Sequence, residues 1–112
     1  MPKGDHVGEF EHLVMLALLR LKDDAYGMRV RREIQSRTER SVSIGSVYAT
    51  LDRLEQKGYV LASFGASGPG ARGRARKYFR LTPDGAQAVL RNREAINRMT
   101  EGLAVREELD AI

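Results

Sequence analysis

The sequence predicts a mainly α-helical fold that carries one small β-hairpin and finishes in a long C-terminal helix. Three observations support this. Ile44, Val47, Leu51 and Leu54 recur at helical spacing between Ser43 and Gly58. After Gly58 the apolar spacing turns from helical to alternating, in two short runs around the glycine-rich stretch GASGPGARGR. Thr82-Pro83-Asp84 then opens a further helix, with an N-cap, a proline at the first helical position and an acid in the first turn.

From the N-terminus, residues 1–7 read as a frayed tail. A first helix starts at Gly8 or Asp5 and runs to about Leu21. Phe10, Leu13, Val14, Ala17, Leu18 and Leu21 share one face, and Met15, Leu16 and Leu19 fall outside it. A helix apolar nearly all round is buried on more than one side, so a second chain is expected to cover the excess. The polar turn Lys22-Asp23-Asp24 leads to a second helix, from Ala25 or Tyr26 to about Thr38, with Tyr26, Val30 and Ile34 facing inward. Gly27, near its start, suits a close approach of another helix.

The central helix follows a short connection, Glu39 to Val42. Ser43 suits its N-cap, and Gly58 suits the left-handed residue that ends it. At about 100° per residue, Gly45, Ser46, Ala49, Arg53, Gln56 and Lys57 lie opposite the apolar stripe, with Tyr48 on its flank. The face is small at its start and basic at its end. Tyr59 to Phe64 and Arg76 to Leu81 read as two strands joined by the basic glycine-rich loop. The last helix is expected to run to about Leu109 as one piece, with Val89, Ile96 and Leu103 seven residues apart and Leu90 and Met99 beside them. That is a short coiled-coil-like seam, interrupted by Asn92 and Arg106. The expected division is residues 8–82 as one domain and 83–112 as a dimerisation helix.

Charge narrows the function. The net charge is +4, and from Gln56 to Pro83 there are six basic residues and no acidic one. A concentrated positive patch is the footprint of a polyanionic partner. The chain has no cysteine, which excludes disulfides and thiolate metal sites. Neither a bilayer-length apolar run nor a signal-peptide core is present, so a cytoplasmic protein is expected. The two histidines, His6 and His12, sit in a tail and on an apolar helix, and no carboxylate pair or metal-ligand cluster stands out. Neither an enzyme nor a cofactor or metal is expected.

Two helices joined by a short turn, the second with a small-residue outer face, form a helix-turn-helix pattern, and the basic hairpin after it is a wing. The order YGMRVRREI, SIGSVYATLDRLEQKGYV and RARKYFRLTPDG resembles the PadR family of bacterial winged-helix transcriptional regulators, over roughly Phe10 to Leu90. The run of Gly45, Tyr48, Leu51 and Leu54 at three-residue intervals, followed by Gly58 and LTPDG, carries that resemblance. It implies a DNA-binding repressor or activator acting as a homodimer, with Tyr48 and the start of the central helix at the DNA. It also implies a C-terminal region that mediates dimerisation and helps form an effector site. Here that region is expected to be a single helix, so the chain resembles the short-tailed branch.

The expected partner is double-stranded DNA carrying an inverted repeat, with a small-molecule effector as a compatible second partner. Gly45, Ser46, Ala49 and Arg53 are expected at base edges or nearby phosphates, and Ser43 is expected among the DNA-binding residues. Tyr48, Thr50 and Lys57 are expected as backbone contacts, and Arg72, Arg74, Arg76 and Lys77 as the charge of the wing. Met15, Leu16, Leu19, Val89, Ile96, Met99 and Leu103 are expected to hold two copies together. The alternative is a ligand-sensing or protein-interaction winged-helix module whose main partner is not DNA. A sensor would place its pocket between the first and last helices of the dimer, and a module serving only protein contacts would call for a neutral wing.

Overall fold

The computed structural model describes residues 6–65 and 76–112 of the chain. Their elements are α1 (Glu9–Leu21), one 3-10 turn (Lys22–Asp24), α2 (Gly27–Thr38), α3 (Ile44–Gln56), β1 (Val60–Gly65), β2 (Arg76–Leu81), α4 (Pro83–Thr100) and α5 (Val105–Asp110). The strands pair antiparallel, from Val60 opposite Leu81 to Gly65 opposite Arg76. Three helices and a hairpin wing around one core make the winged helix-turn-helix that the spacing predicts.

Each boundary has a local cause. Glu11 accepts a hydrogen bond from the Gly8 N–H at 2.9 Å, the reciprocal half of a capping box at the start of α1. The α2–α3 turn is pinned at Val42, whose carbonyl accepts from Arg31 Nε at 2.7 Å and whose N–H donates to Gln35 Oε1 at 3.0 Å. Ser43 Oγ caps α3 by accepting from the Ser46 N–H at 3.1 Å. The helix ends in a Schellman motif: Tyr59 N–H donates to the Leu54 carbonyl, Gly58 N–H donates to that of Glu55, and Gly58 takes φ +79°.

The core draws on every part of this unit. Val14, Met15 and Leu18 of α1 meet Val30 and Ile34 of α2, Val47, Leu51 and Leu54 of α3, and Val60 and Phe79 of the hairpin. Burying each of the larger side chains stabilises the fold by about 1.5–3 kcal/mol. Packing continues past Thr82 into the first turns of α4, where Gly85, Ala88 and Val89 are buried. Thr82 makes that return possible. Its N–H donates to the Tyr59 carbonyl, its hydroxyl donates to the Gly58 carbonyl at 2.6 Å, and the same oxygen accepts from the Gly85 N–H. α4 lies so close to the end of α3 that a Cβ on Gly85 would fall 2.0 Å from the Tyr59 carbonyl oxygen.

Four expectations need correction. Met15 is fully buried, because α1 runs through the middle of the unit and its own chain covers it on several sides. Val89 is likewise 5% exposed, inside the core and not on a free stripe. The terminal helix is not continuous: α4 stops at Thr100, Gly102 takes φ +80°, and α5 starts anew at Val105. A left-handed residue cannot continue a right-handed helix, and glycine adopts that conformation without steric cost. At the other end His6 and Val7 are engaged. The His6 carbonyl accepts from Lys57, and Val7 packs against the core. The remainder of the expected tail, residues 1–5, lies outside the described residues.

Candidate nucleic-acid interface

α3 buries Val47, Thr50, Leu51 and Leu54 and turns the rest outward. Gly45, Ser46, Ala49, Arg53 and Gln56 are all exposed, as the helical phase predicts. Tyr48 is 43% exposed, and its ring leans on the start of α2. A Cβ on Gly27 would fall 2.4 Å from Tyr48 Cζ, so the expected close approach at Gly27 is to this side chain. Ser43 is exposed, but its hydroxyl is committed to the cap and to a 2.8 Å bond with Ser46 Oγ.

Two expected backbone contacts are misplaced. Thr50 is 1% exposed, and its hydroxyl accepts from Arg53 Nη2 at 3.0 Å, so it anchors Arg53 from within. Lys57 spends all three ammonium donors inside the protein, on the His6 carbonyl at 2.7 Å and on Glu11 Oε1 and Oε2 at 3.0 and 2.8 Å. Glu11 was not anticipated as a functional residue. Its carboxylate is 9% exposed and ties α1 to the end of α3, with Arg53 Nε 4.0 Å away. Burial raises its pKa, but the Lys57 hydrogen bond, the Gly8 N–H and the charges of Lys57 and Arg53 prevail, holding the carboxyl below the usual range.

The root of the wing is built from aromatic rings. Tyr26 and Tyr78 meet edge to face with centroids 5.9 Å apart, and the Arg76 guanidinium sits 4.0 Å above the Tyr26 ring. The Phe79 N–H donates to the Ala25 carbonyl, fastening β2 to the entrance of α2. Arg76 and Arg80 are exposed on the Tyr78 face of the hairpin. Lys77 points the other way, with Nζ 3.5 Å from Glu55 Oε1 at the end of α3. Arg72 and Arg74, with the rest of the loop, lie outside the described residues.

Two members of this surface were missed from the sequence. Arg80 follows from the alternation that already placed Arg76. Asp52 is exposed near the middle of the outer face of α3. At 100° per residue it falls beside Gly45 and Ala49, so the same periodicity carries its signal. A carboxylate there is repelled by phosphate and can accept from a cytosine amino group.

Of the residues expected between copies, Leu16 is half-buried against the core, whereas Leu19 is 49%, Ile96 58%, Met99 77% and Leu103 52% exposed. His12 is half-buried on α1, where burial and then the nearby Arg93 charge lower its pKa. Among the described residues no group of three or more His, Cys, Asp or Glu side chains is gathered as for a metal ion, and no helix is long and apolar enough to cross a membrane.

A helix with a small-residue outer face, set beside a hairpin with exposed arginines, defines a winged-helix protein of the type that reads polyanions. Residues 15–91 match the model of the transcriptional regulator PadR-like family, and the chain belongs to that family. It is 38% identical over 84 residues to an uncharacterized protein of Lysinibacillus sphaericus, a match covering 73% of each chain. Its fold is similar to that of a PadR-like transcription factor from Bacteroides fragilis, with TM-score 0.70, 23% identity, and coverage of 82% of this chain and 84% of that one. It is similar also to a PadR family transcription regulator from Clostridium difficile, with TM-score 0.64, 23% identity and coverage of 81% and 94%.

Proposed function

We propose that the protein is a sequence-specific, double-stranded DNA-binding regulator that works in the cytoplasm as a homodimer on an inverted-repeat operator. The free outer face of α3 carries this reading. Gly45, Ser46 and Ala49 let the helix backbone approach a major groove, while Arg53 and Gln56 offer longer polar groups farther along. The family supports a role in transcription. Tyr48, Arg76 and Arg80 are the phosphate contacts of this reading, which position the protein, and the α3 face and Asp52 read bases. Leu19, Ile96, Met99 and Leu103 support pairing of copies, since each adds exposed apolar surface. A dimer seated on its operator excludes other proteins from that duplex, so repression is the proposed outcome. An effector entering between the first and last helices of paired copies would act by respacing the two α3 helices.

Ala49→Glu tests the reading. Ala49 is exposed, so stability should change by no more than about 0.5 kcal/mol. Binding to a duplex selected from a random pool, followed by fluorescence anisotropy, should be abolished. Wild-type affinity in this variant overturns the assignment of α3. Arg76→Ala and Arg80→Ala should each reduce the log–log salt slope by about 0.9 if each arginine holds one phosphate.

A further inference from the structure

Arg53 stands on the outer face of α3, one turn after Ala49, with its side chain 55% exposed. Its guanidinium is nevertheless held from behind. Nη2 donates to Thr50 Oγ1 at 3.0 Å, and Nε lies 4.0 Å from Glu11 Oε2. Both partners are themselves fixed. Thr50 is buried, so its hydroxyl cannot swing into solvent, and the Glu11 carboxylate is gripped by Lys57 and by the Gly8 N–H. A buried hydroxyl is costly without a hydrogen bond, and Arg53 gives it one.

A guanidinium presents its donors in a flat, rigid fork. In Arg53 the edge formed by Nε and Nη2 faces the protein, toward Glu11 and Thr50. The other edge, Nη1 with the second Nη2 hydrogen, points away from that anchor. It matches the paired O6 and N7 acceptors of guanine in a major groove, and its shape also matches a phosphate. Charge decides between the two. Lys57 is paired with Glu11, and Asp52 is exposed beside Arg53 on α3, so these four side chains together carry no net charge. A phosphate gains little attraction there and is repelled by both carboxylates, whereas a base edge is neutral.

We propose that Arg53 reads a guanine and that Thr50 and Glu11 are its positioning residues, an inference that rests on the sequence-specific DNA reading above. Thr50 and Glu11 stay out of the groove and act through Arg53 alone. An arginine loses side-chain freedom when it binds, and one already fastened along one edge has less to lose. The bond to Thr50 also fixes which edge goes outward. An adenine in the same place replaces the O6 acceptor with an amino donor and is refused.

The full-length protein is used to select a duplex from a random pool. Each guanine of that duplex is then replaced in turn by 7-deazaguanine, which pairs normally but lacks the N7 acceptor, and affinity is read by fluorescence anisotropy. For the wild-type chain, replacement of one guanine per half-site should weaken binding by about tenfold. Arg53→Ala should bind both duplexes alike. Thr50→Val keeps the shape of the buried side chain and removes the acceptor. It should shrink the wild-type loss by about threefold or more, the worth of one hydrogen bond. Thr50→Ser, which keeps the hydroxyl, should retain the full loss. Glu11→Gln should shrink it too, and it carries the same test should Thr50→Val not fold. A role confined to stability would weaken every duplex alike and leave the ratio unmoved. A wild-type chain indifferent to every replacement, or an Arg53→Ala chain as sensitive as wild type, overturns the guanine assignment. A folded Thr50→Val or Glu11→Gln chain that shows the full loss overturns the positioning role. A pool that yields no preferred duplex overturns the sequence-specific reading itself, and this inference with it.

Discussion

The unit from α1 to the first turns of α4 and the arm beyond Leu90 follow opposite rules. In the unit, each described element but the surface 3-10 turn buries side chains, and its polar links are internal: Glu11 with Lys57, Arg31 with Val42, Thr82 with Gly58. In the arm no residue is buried, yet Ile96, Met99, Leu103, Leu109 and Ile112 are apolar. One region completes itself, and the other leaves its apolar side chains at the surface of the chain. Apolar residues therefore mean different things along one helix: Val89 is structural because α4 still touches the core there, and Ile96, two turns later, is not.

That contrast can be broken most severely at Gly85. Gly85→Ala puts a methyl group into the Tyr59 carbonyl, a backbone atom that cannot swing aside. A loss of about 3 kcal/mol or more is expected, by analogy with overpacked cores, measured by urea unfolding. A smaller loss would mean that the α4 base can lift away and belongs more to the arm than to the unit.

Next is the Glu11–Lys57 link. Glu11→Gln should cost about 1–3 kcal/mol at neutral pH, because it removes one charge of a mostly buried pair. The pH dependence has a definite sign. The folded-state pKa of Glu11 is depressed, so its stabilisation is present above the ordinary glutamate value of 4.5 and lost as pH falls through the lower folded value. The wild-type protein should therefore lose stability below about pH 4.5 more steeply than Glu11→Gln. Parallel curves would show that the link contributes little.

The smallest effect on folding belongs to the arm. Met99→Ser should leave the unfolding free energy of dilute monomer within about 0.5 kcal/mol, since Met99 is 77% exposed. Its effect should appear in association, measured by sedimentation. A large change in monomer stability would dissolve the distinction between the two regions.

Much of the fold was legible because its signals are local. The stripe of α3, its Ser43 cap and Gly58 stop, the alternation in β2 and the Thr82-Pro83-Asp84 start each depend on residues within a turn or two. The exposed half of the candidate site was legible for the same reason: Gly45, Ser46, Ala49 and Arg53 follow from helical phase. Thr50 and Lys57 were not, because phase alone cannot say how wide the buried stripe is or which distant acid waits for a lysine. Glu11 lies 46 residues before Lys57, and only the packing of α1 across the end of α3 joins them.

The sequence by itself determined a mainly helical chain with a wing, the outward face of its central helix and the concentration of positive charge after it. Periodicity and capping act over a few residues, so they can be read before anything has packed. Tertiary structure alone decided that Met15 and Val89 belong to the core, that Tyr26, Tyr78 and Arg76 stack at the wing root, and that Leu19 stays outside. Those outcomes depend on which surfaces meet, and an apolar residue carries no mark of whether its cover comes from its own chain or from another.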